Sequence, residues 1–300
     1  MSELPVKEWW GEPAQRGFRQ LFAVREELFH GRSLYQEMRV VSTVPFGRML
    51  VLDGAVQTTE ADEFIYHEML VHVPLLHVPR PQDVLIIGGG DGGALRRVLM
   101  HDVSSVTMVE IDSEVVRISR EFLPSVSAGA FEDKRAHLVI GDGAAYLRDA
   151  TPESFDAIIV DSTDPVGPAR VLFEDDFFRH AYRALKPGGV YVTQVGSPLL
   201  LPGELREAHK GLSRVFPQCR AYLAGIPSYP AVLLGFLMAG KDPFSWPSQA
   251  EIERRWQARG LETGYLTAEV AVAAFALPAY VQAIMAGGDL SRLPFPVSRA

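Results

Sequence analysis

The sequence predicts an α/β protein: a Rossmann-like, doubly wound, mostly parallel sheet preceded by a small N-terminal antiparallel β-domain. Three observations carry that prediction. From Gln82 onward, short apolar runs alternate with amphipathic stretches of helical length. Leu85-Ile-Ile-Gly-Gly-Gly-Asp-Gly-Gly93 sets Gly88, Gly90 and Gly93 in GxGxxG spacing between a strand and a helix. Residues 1–80 lack this alternation and carry hairpin signals instead.

The elements follow in order. Phe18–Glu26 alternates and leads to His30-Gly31, and Ser33–Ser42 carries Tyr35, Met38, Val40 and Val41. Asp53-Gly54 is a two-residue turn signal between Met49-Leu-Val-Leu52 and Ala55-Val-Gln57. Phe64, Ile65, Met69, Leu70 and Val73 fit a helix over Glu60–Val73, and Pro79-Arg80-Pro81 reads as a linker to a second domain over 81–300. There, strands are predicted at Asp83–Ile87, Ser105–Glu110, Ala136–Ile140, Phe155–Val160 and Val190–Gln194. Cys219–Leu223 and Leu233–Ala239 read as an antiparallel pair at one edge. Helices fit Gly92–His101, Ser113–Phe122, Ala144–Asp149, Asp175–Leu185 and Pro202–Val215, with Lys186-Pro-Gly-Gly189 as a helix stop before the next strand.

Three hundred residues with 47% apolar content supply ample core for one large domain or two unequal ones. A net charge of −8 without any dense Lys/Arg run argues against nucleic acid or an anionic membrane as partner. Cys219 is the single cysteine, which excludes an internal disulfide and a cysteine-based zinc site. Met1–Trp10 lacks a basic region followed by an apolar core, and the apolar stretches around Ala231–Ala239 and Val270–Ala276 are too short to span a bilayer. The expectation is a cytoplasmic protein.

The chemistry-bearing residues gather at predicted strand ends, the edge where open α/β sheets bind ligands. The glycine loop offers free N–H groups at a helix N-terminus, and Glu110, ending the next strand, can accept from both hydroxyls of a ribose. Asp91 stands inside the loop, where it would repel a pyrophosphate; this disfavours NAD and favours a cationic adenosine derivative. Gly141-Asp142-Gly143 follows the third strand, where the acid could accept from an adenine amine. Asp161-Ser-Thr-Asp-Pro-Val-Gly-Pro168 then sends two carboxylates, Asp161 and Asp164, into a proline-stiffened loop. Such a pair can hold a metal, hold a cation or take a proton. A metal is disfavoured because no histidine lies at ligand spacing from these acids along the chain.

Taken together, these residues resemble the spermidine synthases (polyamine aminopropyltransferases) over nearly the whole chain. Trp9-Trp10, Ser33-Leu-Tyr-Gln36, Val51-Leu-Asp-Gly54 with Gln57, Asp62-Glu-Phe-Ile-Tyr-His-Glu-Met69, Gly88–Gly93, Glu110-Ile-Asp112, Gly141-Asp-Gly143 and Asp161–Pro168 resemble that family's signatures in order. The resemblance implies a dimer or tetramer that moves an aminopropyl group from decarboxylated S-adenosylmethionine to a diamine, releasing 5′-methylthioadenosine. No resident cofactor is implied, because the donor is a co-substrate. Asp161 is implied to accept the proton, and Asp91 and Asp164 to bind amine ends. Gln36, Gly88, Gly90, Glu110, Asp142, Gly143 and Pro168 match the nucleoside side, while Gln57, Tyr66, His67, Gln194 and Tyr229 match the donor tail or acceptor channel. Trp9-Trp10 fits either an anchor for the small domain or a wall of that channel.

The chain departs from the family pattern on the acceptor side. The acid common two residues after Gln194 is replaced in Gln194-Val-Gly-Ser-Pro198, and the usual Thr-Tyr-Pro-Ser-Gly reads Ser228-Tyr-Pro-Ala-Val232. The Phe-Ala-Leu-Pro278 run also lacks the histidine often found before it. Putrescine is the expected acceptor, with cadaverine, agmatine and spermidine as alternatives. An S-adenosylmethionine-dependent methyltransferase is the runner-up reaction class.

Overall fold

A computed structural model describes residues 6–15, 18–163 and 167–289. Five strands, β1 (Glu8–Gln15), β2 (Phe18–Arg32), β3 (Glu37–Thr43), β4 (Gly47–Leu52) and β5 (Ala55–Thr59), pair in chain order as an antiparallel meander. Asp53-Gly54 forms the predicted turn, both residues at positive φ (47° and 79°). β1 lies outside the predicted hairpins. Its pleat turns Trp10 onto Phe22 (5.9 Å between rings) and leaves Trp9 and Leu21 exposed on the opposite face. Trp10 is thus a packing residue of the small sheet.

α1 (Glu63–His77) starts later and ends later than the predicted Glu60–Val73. The Glu60 and Ala61 N–H groups are held in the preceding turn by the carbonyls of Arg48 and Phe46, so the helix cannot begin there. At its other end the orphan carbonyls of Leu75, Leu76 and Val78 accept from Arg259 (2.7 Å), Arg255 (2.9 Å) and Arg259 (2.6 Å), which supports the helix beyond Val73.

The second sheet follows from β6 (Asp83–Gly88), α2 (Gly93–Leu99), β7 (Ser105–Glu110), α3 (Ser113–Phe122), α4 (Pro124–Ser127), β8 (Ala136–Ile140), α5 (Gly143–Asp149) and β9 (Phe155–Asp161). It continues with α6 (Asp175–Ala184), β10 (Leu185–Gln194), α7 (Pro202–Val215), β11 (Gln218–Gly225) and β12 (Leu233–Gly240), and the chain then forms α8 (Gln249–Arg259), α9 (Ala268–Ala273) and α10 (Ala279–Met285). The strand order is β11-β12-β10-β9-β6-β7-β8, parallel from β10 to β8, with β12 antiparallel to both neighbours. The Rossmann-like prediction and the late antiparallel pair both hold.

Within this sheet the largest boundary difference is at β10. β10 begins at Leu185 rather than Val190, with a register slip between them, so Lys186-Pro-Gly-Gly189 is an irregular part of the strand instead of a turn before it. Lys186 Nζ donates to Asp83 (2.6 Å) and Asp156 (2.9 Å), which ties this segment to the starts of β6 and β9.

Helices cover both faces of the second sheet. On one side α1, α2, α8 and α9 bury a core that includes Met69, Leu70, Val98, Ile252 and Ala271, and on the other α5, α6, α7 and α10 enclose Leu147, Phe178, Leu205 and Ile284. The small sheet joins this body through Met38, Val40, Leu50 and Leu52, which pack on Val115 and Ile118 of α3 and Val126 of α4. Its other face packs Phe22, Met49 and Val56 toward Tyr229.

Glu68 shows how α1 organises the rest. It is fully buried and accepts from the backbone N–H groups of Gly264 (2.8 Å), Tyr265 (2.9 Å) and Leu266 (2.9 Å). Hydrogen bonds to a charged group contribute about 1.5–3 kcal/mol, and stranding buried donors adds to the loss. Glu68→Ala is therefore expected to lower stability by at least about 2 kcal/mol, seen as a lower denaturant midpoint. An unchanged midpoint would show that the segment is held by other contacts.

Candidate active site

β6 and β9 are neighbours although two strands and four helices separate them in the chain, and at that switch the sheet opens a crevice at its carboxyl edge. Gly88 pairs directly with Asp161 across the two strands. Gly88 has φ +82°, and a Cβ there would lie 2.1 Å from the Asp161 carbonyl oxygen, so both conformation and space require glycine. The next N–H, of Gly89, donates to that same carbonyl at 2.8 Å. The glycine loop and the Asp161 loop are thereby one rigid unit.

A cavity of about 930 Å³ lies over this unit, between the two sheets. Its walls include Gln36, Gln57, Tyr66, Gly88, Gly90 and Asp91, together with Glu110, Asp142, Gly143, Asp161, Gln194 and Tyr229. These predicted site residues are scattered over the chain and the fold brings them together. Asp164 lies outside the described residues, as does the side chain of Pro168.

On the side expected for the nucleoside, Glu110 is buried and accepts from the N–H groups of Gly90 (3.1 Å) and Asp112 (2.9 Å). Burial pushes its carboxyl up to about 7, against those two N–H groups. Asp142 uses Oδ1 to accept from Ala144 (2.8 Å) and Ala145 (3.1 Å), capping α5 while lining the cavity. Gln36 is fixed by donating to Asp112 at 3.0 Å, the residue that caps α3.

The other side holds the charges. Asp161 Oδ1 accepts from the Tyr66 hydroxyl at 2.7 Å, while Oδ2 faces His67 Nε2 at 4.0 Å. Asp91 lies 3.5 Å from the same nitrogen and also accepts from the Gly93 N–H at 2.8 Å. Burial raises both carboxyls, Asp91 to about 6, while the neighbouring His67 charge opposes the rise. Burial and the adjacent Asp161 hold the Tyr66 hydroxyl well above its usual range, which keeps it a donor.

His67 departs from expectation. It is 1% exposed and sits behind Asp91 and Asp161 instead of lining the channel. Its Nδ1 contacts Glu63 at 2.6 Å, and Glu63 accepts from Arg97 at 3.2 Å. Burial alone would lower the imidazole, but Asp91, Glu63 and Asp161 raise it to about 9. A Cβ on Gly93 would meet this ring at 2.1 Å, so glycine there lets helix α2 approach α1.

The expectation that no histidine stands at ligand distance from these acids is overturned. One atom each of His67, Asp91 and Asp161 lies within 4.8 Å of the others, because α1 folds against the glycine loop across 24 residues of sequence. The imidazole nevertheless presents N–H groups to acids on both sides, and as a cation it has no lone pair for a metal.

The acceptor side is fixed by hydrogen bonds. The Tyr229 hydroxyl donates to the Gln57 carbonyl at 2.5 Å, and its ring stands 5.7 Å from that of Tyr66. Asp62 accepts from the Ser228 N–H (2.7 Å) and hydroxyl (2.9 Å), anchoring this loop to the start of α1. Gln194 donates to the Ser162 carbonyl (2.9 Å) and accepts from the Gly196 N–H (2.7 Å), so it braces the Asp161 loop against the chain that follows β10. Ala231 and Val232, in place of Ser-Gly, hold positive φ (58° and 62°), a costly conformation for a β-branched residue.

Sequence reasoning missed two acids in the cavity wall, Glu12 and Glu204. Glu12 lies on the unpredicted β1, and Glu204 in the first turn of α7 has the pattern of an ordinary helix-start charge.

Residues 63–248 match the spermine/spermidine synthase domain, and residues 8–60 match the spermidine synthase tetramerisation domain. The polyamine aminopropyltransferase of Ruegeria sp. (strain TM1040) is 46% identical over 288 residues, covering 92% of this chain and 98% of the relative. That of Escherichia fergusonii is 44% identical over 282 residues, covering 93% and 98%. Among solved structures, spermidine synthase in complex with the transition state analogue AdoDATO superposes with a TM-score of 0.89 at 36% identity, covering 95% of this chain and 98% of that one. Spermidine synthase from Thermotoga maritima gives 0.88 at 36%, covering 95% and 97%. The chain belongs to the spermine/spermidine synthase family and is a polyamine aminopropyltransferase.

Proposed function

We propose that this aminopropyltransferase moves the aminopropyl group of decarboxylated S-adenosylmethionine to putrescine, giving spermidine and 5′-methylthioadenosine. The observation that carries this reading is Asp161: a carboxylate only 9% exposed and fixed by Tyr66, beside the glycine loop and at the wall of a cavity that also holds Asp91 and Glu110. A structural relative that binds AdoDATO in the same fold supports it.

The chemistry follows from the charges. An alkyl amine has a pKa near that of lysine, about 10.4, and is protonated at neutral pH. Its nitrogen must shed a proton as it forms a bond to the aminopropyl carbon and the C–S bond breaks toward neutral 5′-methylthioadenosine. Asp161 accepts that proton, its carboxylate held in place by the Tyr66 hydroxyl. Asp91 faces the donor's ammonium, Asp164 completes amine binding, and Glu110 and Asp142 hold the nucleoside. Holding both reactants in line supplies much of the remaining acceleration. The donor is a co-substrate, and the reaction as written calls on no resident cofactor or metal.

The testing experiment is a product assay with the decarboxylated donor against putrescine, cadaverine, agmatine and spermidine in parallel. Putrescine is expected to react fastest, and a clear preference for another amine would replace it as the acceptor. In the same assay Asp161→Asn is expected to lose at least about a hundredfold in turnover. Near-normal turnover would remove Asp161 as the base.

The pH profile has a definite sign. Asp91 and Glu110 are raised to about 6 and about 7, and donor binding uses their ionised forms. Donor kcat/KM is therefore expected to fall as pH drops through 7 to 6, where an ordinary carboxylate site would hold until about 4. A profile flat down to pH 5 would contradict that role.

We further infer a homodimer or homotetramer built through the small sheet, where Trp9 and Leu21 stand exposed on one face within the match to a tetramerisation domain. Light scattering after size exclusion is expected to show an oligomer that Trp9→Glu weakens, and a wild-type monomer at micromolar concentration would reject it.

A further inference from the structure

His67 is a buried cation that the proposed reaction does not use. Charged and titratable groups surround it from every element packed on it: Glu63 and Tyr66 from α1, Asp91 from the glycine loop, and Asp161 from β9. Arg96 and Arg97 of α2 stand behind Glu63, at 3.6 Å and 3.2 Å, and Tyr229 lies beyond Tyr66. The ring is 1% exposed, so these groups rather than water set its charge. We propose that His67 is the resident counter-ion of Asp91 and Asp161, and that the donor's cationic tail takes its place electrostatically, so that donor binding releases one proton.

The inference rests on the functional reading above, which supplies the cationic ligand. Without ligand, the Asp91 and Asp161 carboxylates, 12% and 9% exposed, stand within 4.8 Å of each other and need a positive neighbour, and His67 Nε2 lies 3.5 Å from one and 4.0 Å from the other. The imidazole stands at about 9 in this state, so it is protonated at neutral pH. The donor brings a sulfonium and an ammonium to the same carboxylates. Each of these two charges, at about 7 Å beyond the carboxylates and with an effective dielectric near 20, shifts the imidazole equilibrium by roughly fiftyfold. Together they are enough to bring the imidazolium below neutral.

The balance is simple. Enzyme carrying the Nε2 proton plus donor gives the enzyme–donor complex plus one proton, which leaves by way of Asp91 at the cavity wall and is taken up by buffer. The neutral ring keeps its Nδ1–H on Glu63, so its position does not change. The neutral product, 5′-methylthioadenosine, lacks the cationic tail and should leave His67 protonated. His67 is in this sense a positioning residue: it keeps the carboxylates ionised and placed until the substrate's own charge arrives.

Isothermal calorimetry at pH 8 in buffers of different ionisation enthalpy counts the proton, with decarboxylated S-adenosylmethionine and 5′-methylthioadenosine as ligands and no acceptor present. Asp91 and Glu110 are largely ionised at that pH, and any residual release from Glu110 appears with both ligands and subtracts out. The expected result is about 0.5–1 proton released per donor bound and close to none with the neutral nucleoside. Between about pH 8 and 9, above the Glu110 range, donor affinity should correspondingly rise by up to about tenfold per pH unit, while nucleoside affinity stays nearly flat. In NMR spectra of the unaltered enzyme the His67 ring should pass from the imidazolium to the neutral form on donor binding and stay protonated with the nucleoside. Donor binding with no proton release overturns the proposal alone, as does a His67 ring that stays protonated in the donor complex. Absence of donor binding, with the nucleoside still bound, would remove the functional reading itself.

Discussion

Asp91 and Asp161 must remain ionised where water scarcely reaches, and much of the architecture serves that requirement. Burial pushes both carboxyls toward the neutral form, and the charge of Asp161 adds to the rise at Asp91. Opposition comes from one helix. α1 delivers the Tyr66 hydroxyl to Asp161 and the His67 cation to both acids, and it delivers Glu63 to steady that cation. The helix is itself held by buried polar contacts: Asp62 to Ser228, Glu68 to three N–H groups, and Arg255 and Arg259 on its carboxyl end. Each polar residue of Asp62-Glu-Phe-Ile-Tyr-His-Glu68 therefore has a separate mechanical or electrostatic task.

This division of labour explains what was legible in the sequence. The parallel sheet was legible because apolar period and glycine punctuation are local signals, and they located the ligand edge before any contact was known. The cavity residues were legible as a set because most stand at strand ends or on the motif of α1. His67 was placed wrongly because its role depends on α1 crossing the glycine loop, a contact with no local signature. Glu12 and Glu204 carried no signal, since a strand-end or helix-start acid is common without a ligand. The C-terminal helices α8 to α10 were not predicted, being short and anchored chiefly by long-range bonds such as Arg259 to Leu75.

The departures on the acceptor side have a structural cost and a structural answer. Gln194 is followed by buried Val195 and by Gly196, so no acid projects from this loop, and the Gln194 side chain is spent on bracing Ser162 against Gly196. The loop over Ser228–Val232 keeps two non-glycine residues at positive φ, yet Asp62 and Val232 N–H to Tyr229 O hold it in place. Tyr229 consequently reaches Gln57 and packs beside Tyr66 as a fixed wall. This part of the cavity wall is apolar and aromatic, with Glu12 and Glu204 also in the lining.

The same fold also carries methyl transfer, and the distinction lies in charge more than in shape. A ribose-binding acid after the second parallel strand suits any adenosine-bearing donor. Asp91 inside the glycine loop does not, because the intact methyl donor carries a carboxylate that would meet it at close range, in a site with little water to screen the repulsion. Removing that carboxylate turns the encounter from repulsive to attractive. In the proposed reaction one acid selects the donor while the paired Asp161 acts on the acceptor, and the His67 cation keeps both acids ionised until the donor's own charge arrives.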